Sequence, residues 1–90
     1  MKGDGKMATL IKVDGTESEV TPAKKRFTVE EMQEAIGGYW TPIRLDSNTV
    51  MLVVEDGLPR QLPENREASL RATQRIVGDV LIGHRREFGL

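Results

Sequence analysis

Thr49-Val50-Met51-Leu52-Val53-Val54 is a run of β-branched and aliphatic residues that is apolar on both faces of an extended chain. A strand of that kind belongs inside a sheet, so it is expected to be central. Asp46-Ser47-Asn48 before it is turn material, and Asp56-Gly57 after it ends it. The tight turn joins it as a hairpin to a second strand, Tyr39 to Leu45. Pro42 within that second strand predicts an edge position or a bulge, because proline donates no ladder hydrogen bond.

Toward the N-terminus, Thr28-Val29-Glu30-Glu31 is a helix start. Thr28 is placed to cap the Glu31 amide, and Glu31 to reach back to the Thr28 amide. Val29, Met32, Ala35 and Ile36 then share one face, and Phe27 and Met32 are spaced as a hydrophobic staple. Gly37-Gly38 stops the helix. Ala8 to Val13 reads as a strand ended by Asp14-Gly15. Glu17 to Val20 reads as a short extended edge segment, broken by Thr21-Pro22.

Toward the C-terminus, Leu58 to Pro63 is a proline-bounded loop and Asn65 is the N-cap of a second helix starting at Arg66. Ala68 and Ala72 form its packing stripe, with Leu70 at the margin. Glu67 and Arg71 are spaced for an ion pair. So narrow a stripe predicts a short helix ending near Thr73. Ile76 to Ile82 reads as the last strand, and residues 84–90 as a charged tail with Phe88 and Leu90 as docking points.

The expected fold is a small two-layer α+β domain. A mostly antiparallel sheet of about four strands carries two short helices on one face. The order β-α-β-β-α-β is compatible with a ferredoxin-like arrangement and equally with other small two-layer folds. Residues 1–6 read as a flexible leader, residues 7–83 as the domain.

The chain has 90 residues, a formal net charge of -1, no cysteine and one histidine. The balanced charge argues against a basic nucleic-acid face. The absence of cysteine removes disulfides and thiolate chemistry and suits a reducing, cytoplasmic setting. No apolar run approaches the length of a membrane span.

Several segments, taken in order, resemble one family. They are Thr28 to Gln33 leading into Gly37-Gly38-Tyr39, the Val50 to Val54 strand, Leu62-Pro63-Glu64-Asn65-Arg66 with Ala68 and Leu70, and Ile76 to Ile82. Across Met7 to Gly83 the chain is similar to the domain of unknown function 3846 family. The resemblance implies a small intracellular protein of phage, plasmid or bacterial origin. It brings no established activity, so no catalytic residue carries over. Trp40 departs from the aliphatic residue expected after Gly-Gly-Tyr.

No constellation for catalysis or metal binding emerges. His84 has no partner ligands, and Ser18, Ser47 and Ser69 lie outside any nucleophile elbow. Gly37-Gly38 follows a helix, whereas phosphate-binding glycines precede one. Glu30, Glu31 and Glu34, like Asp46, Glu55 and Asp56, read as cap, turn and edge charges rather than as metal ligands.

Two features point to binding. Tyr39 and Trp40 are adjacent and should face opposite ways on a strand, which makes one of them a possible anchor beside Arg44. Asn65 and Arg66, at the start of the second helix, form a candidate grip for an anionic group. The ordinary alternatives are burial for the aromatics and a solvated helix face for Arg66. The expected function is therefore non-catalytic, with no cofactor: occupation of a partner protein, with a homodimer as one arrangement. The alternative is binding of a small anionic ligand such as a nucleotide around Tyr39, Asn65 and Arg66. Nucleic-acid binding ranks third.

Overall fold

A computed structural model describes residues 7–90, and the leader expected over residues 1–6 lies outside the described residues. The elements run β1 (Ala8–Ile11), β2 (Glu17–Val20), α1 (Val29–Ile36), β3 (Trp40–Arg44), β4 (Thr49–Val54), α2 (Arg66–Ala72), β5 (Val80–His84) and a closing 3-10 turn, Arg85–Phe88. The strands make one five-stranded antiparallel sheet in the order β2-β1-β5-β4-β3.

As its composition requires, β4 is interior, between β5 and β3. Five of its six residues are buried. Pro42 lies on the edge strand β3. The expected count of about four strands is one short, because Glu17–Val20 pairs with β1 along its whole length as the opposite edge. The ferredoxin-like option does not hold either. In a split βαβ unit the two strands joined through a helix run parallel with a third strand between them, whereas here β4 and β5, joined through α2, are direct antiparallel neighbours.

The helices lie on opposite faces of the sheet rather than on one, so the domain has three layers. Val50, Leu52, Val54 and Leu81 pack with Met32 and Ile36 of α1. Met51, Val53, Val80 and Ile82 pack with Ala68 of α2. The physical reason is already in β4: a strand apolar on both faces needs a cover on each. On one side, α1 carries the chain from the β2 edge to the β3 edge. On the other, α2 links the neighbours β4 and β5.

The α1 ends form by local chemistry. The Glu31 N–H donates to the Thr28 hydroxyl at 3.0 Å, and the Thr28 N–H donates to Glu31 Oε1 at 2.7 Å. Gly37 closes the helix at φ 86°, and its N–H donates to the Gln33 carbonyl at 2.8 Å. Such a left-handed cap suits glycine. Val29, expected on the apolar face, is exposed, while Met32 and Ile36 are buried.

Helix α2 depends on Asn65, which is fully buried. Its Oδ1 accepts the Ala68 N–H at 3.1 Å. Its Nδ2 donates to the carbonyls of Ile11 and Gly78, both at 2.9 Å. One side chain therefore caps the helix and ties it to the end of β1 and to the turn before β5. The last strand starts later than its composition suggests. Ile76 and Val77 run back along the start of α2, where the Asn65 N–H donates to the Ile76 carbonyl and Val77 bridges Glu64. Gly78, at φ 82°, then turns the chain into β5.

Residues 84–90 are not a free charged tail. His84 ends β5, and Phe88 and Glu87 are buried in the 3-10 turn. The Phe88 ring lies 5.6 Å from that of Phe27, and the Phe27 N–H donates to the Glu87 carbonyl at 2.8 Å. Of the two expected docking points, Phe88 is buried and Leu90 is exposed.

Replacing Asn65 with alanine is expected to cost about 2–4 kcal/mol, from a lost cap and two lost hydrogen bonds to buried carbonyls. Asn65→Asp should cost at least as much, because aspartate keeps the cap but cannot donate to Ile11 or Gly78. Urea unfolding of both variants checks this. A nearly neutral aspartate would show that only the cap matters.

Candidate functional site

The structure does not gather the residues nominated from sequence. Tyr39 is 72% exposed just before β3. Trp40 is half-buried and packs against the α1-side core. Arg44 shares its face of β3, because Trp40 and Arg44 pair with Val54 and Val50, but it lies four residues further along, roughly 13 Å away. It is exposed. Asn65 is buried under the opposite face with both amide donors engaged, leaving it none for a ligand. Arg66 is exposed on the first turn of α2. An anion grip built from Asn65, Arg66 and Tyr39 therefore does not assemble.

A different surface does. An open groove of about 390 Å³ lies between α1 and the β1–β2 edge, lined by Leu10, Val20, Thr21, Phe27, Glu31, Glu34 and Ala35. Leu10, Val20 and Ala35 are partly buried hydrophobics packed on the α1-side core, to which Phe27 belongs. They supply an apolar floor, and Glu31 and Glu34 supply an acidic rim. Each lining element is placed by local chemistry. Alternation along β1 and β2 turns Leu10 and Val20 to the α1 side. The staple position before the cap buries Phe27.

Glu31 also fixes the groove's wall. Its Oε2 accepts the Ala23 N–H at 3.1 Å while Oε1 serves the capping box, so one carboxylate holds the 21–28 segment against α1. The amides of Thr28 and then Ala23 hold the Glu31 carboxyl below the usual carboxylate range, so Glu31 is a carboxylate at neutral pH. Sequence reasoning found the cap but not the groove. The groove exists only once β2 pairs with β1, and only Val20 in that strand hints at a covered side.

Glu87 lies behind this wall. It is 5% exposed, and its Oε1 has no hydrogen-bond partner among the described residues. A side chain at Gly83 would approach Oε1 and the Phe88 ring to 3.0 Å. Burial pushes the Glu87 carboxyl above its usual value, against a smaller opposing effect from the His84 N–H. Among the described residues, no group of three or more His, Cys, Asp or Glu is arranged to hold a metal ion. No helix among them is long and apolar enough to cross a membrane.

Fold and groove together define a small antiparallel α+β domain with an apolar cleft beside one sheet edge. The chain matches the family model described as Domain of unknown function (DUF3846) over residues 7–88, nearly its whole length, and it belongs to that family. No curated protein and no solved structure matches it.

Two outcomes follow from this geometry. Trp40→Ala is expected to lower stability by about 1.5–3 kcal/mol, less than a fully buried aromatic costs because the ring is only half covered. A loss within a few tenths on denaturant unfolding would make the ring a surface group. Glu87 holds its proton more tightly in the folded chain than in the unfolded one. Its contribution to stability is therefore present at and below the usual value of 4.5 and is lost as pH rises through the raised folded value. Glu87→Gln should remove that decline, so the variant gains on the parent between mildly acidic and neutral pH. Parallel pH–stability curves for the two would overturn this.

Proposed function

We propose that this is a non-catalytic binding protein that acts by occupying a partner protein, and that it does so along the β2 edge and the groove beside it. The observation that carries the reading is the double role of Val20. It is the last residue of the free edge strand and also lines the groove. An extended segment added to β2 gains main-chain hydrogen bonds from the unpaired side of the strand. It also sets alternate side chains over the apolar floor, the usual division between affinity and selectivity in strand addition.

The other sheet edge is less suited to this, since Pro42 interrupts its row of donors. Binding of a small anionic ligand has less support, because Asn65 is committed internally and the nearest rim charges to the groove are acidic. A protein of phage or mobile-element type inside a bacterial cell would work this way by covering a host protein's exposed segment.

The test is selection of binders from an unbiased random-peptide library against the full chain, followed by amide hydrogen exchange of the complexes. Selected peptides should protect Glu17–Val20 and the N-terminal half of α1. Val20→Asp should abolish capture while the circular dichroism spectrum stays native. A library that yields no binders, or binders protecting only the Tyr39–Trp40 region, would overturn the reading.

A further inference from the structure

We infer that the segment accepted by β2 alternates basic with apolar side chains, and that it is not a second copy of this chain. The inference rests on β2 as the docking edge and specifies what that edge selects.

The β1–β2 register sorts the edge by face. Ser18 and Val20 lie opposite Leu10 and Ala8 on the α1 side, and Glu17 and Glu19 lie opposite Ile11 and Thr9 on the α2 side. An added strand presents its residues directly across from these, face to face. Its α1-side residues meet Ser18, Val20 and the floor of Leu10, Phe27 and Ala35. Those positions favour aliphatic side chains. Its α2-side residues meet Glu17 and Glu19. Arg71 contacts Glu17 at 3.2 Å while also holding Glu67 at 3.0 Å. Glu19 forms no ion pair among the described residues and is exposed. Glu19 therefore calls for a lysine or arginine across from it on the α2 side.

A second copy fails on the same geometry. A closed two-fold pairing of β2 with itself must be antiparallel and keep each face on its own side. Two such registers pair three or more of the strand's four residues. One sets Glu17 against the other copy's Glu19. The second sets Glu19 against its own symmetry mate. Like charges directly opposed destabilise a strand pair, so the glutamates disfavour self-extension while leaving the edge open to a basic strand.

Short peptides of alternating Lys and Val, of alternating Glu and Val, and of Lys and Val with alternate backbone amides N-methylated serve as probes. Each is titrated into the full chain by fluorescence anisotropy at two salt concentrations. The Lys–Val peptide should bind, more weakly at high salt, and should protect β2 amides from exchange. The Glu–Val and N-methylated peptides should not bind. Glu19→Lys, at an exposed position, should leave the thermal midpoint unchanged. It should weaken Lys–Val binding by roughly two- to five-fold and admit Glu–Val. Equal binding of Lys–Val and Glu–Val, with β2 protected in both, would overturn the charge selection and leave the docking edge standing. No binding by any probe, or Lys–Val binding indifferent to N-methylation, would overturn the inference. A dimer of the free chain with protected β2 amides on sedimentation and exchange would overturn the exclusion of a second copy.

Discussion

The structure depends on one constraint: β4 and β5 are apolar on both faces, and neither face tolerates water. Val50, Leu52 and Val54 with Leu81 form one floor, and Met51 and Val53 with Val80 and Ile82 form the other. A sheet with two such floors folds only when each is covered. The chain meets this with little material. Helix α1 has eight residues and α2 seven, so neither covers its floor by length alone. Phe27 and Phe88 extend the cover beside α1, and Ile76 extends it beside α2. The C-terminal residues fold back because the α1-side floor needs Phe88.

The α2 layer shows how a polar group substitutes for apolar area. Its packing stripe is alanine, with Ala68 buried and Ala72 partly so, while Leu70 points to solvent. Alanine buries little surface, and a seven-residue helix is marginal by itself. Asn65 compensates by satisfying three groups from three parts of the chain: Ile11, Ala68 and Gly78. Ser69 adds a second tie, accepting the Ile76 N–H at 2.8 Å and donating to the Asn65 carbonyl at 2.7 Å. Buried and fully satisfied, this network holds one arrangement and disfavours alternatives that leave its carbonyls unpaired.

Legibility from sequence followed range. The Thr28–Glu31 capping box, the Gly37 stop, the Asn65 cap and the Glu67–Arg71 pair are local, and each stands where its residues predict. The interior position of β4 was readable from six consecutive residues. The choice of sheet face for each helix was not, although β4 contained the reason: a strand without a polar face cannot leave one face bare. The start of β5 is not legible in the sequence, because Ile76 and Val77 are as β-branched as the strand itself, and the φ of 82° at Gly78 separates them. The aromatic pair marks β3 in the sequence, and nothing comparable marks the groove. Its residues come from four separated segments, brought together by a strand whose sequence, Glu-Ser-Glu-Val, carries a single apolar residue.

The two sheet edges are managed differently, and the difference bears on what the domain is for. An exposed edge strand is a template for pairing with any chain. At β3 the solution is indiscriminate, since a proline removes a donor whatever strand approaches. At β2 the backbone is uninterrupted, and the protection lies in the charges of Glu17 and Glu19. Charge repels only a strand of the same sign, whereas proline hinders any strand. The groove opens at the charged edge, with Val20 common to both and Glu31 holding its wall. If β2 were only a sheet terminus to be kept inert, a second proline would serve as well and no apolar cleft would need to remain beside it. An acidic edge strand next to an apolar cleft is the combination that the proposed strand addition requires.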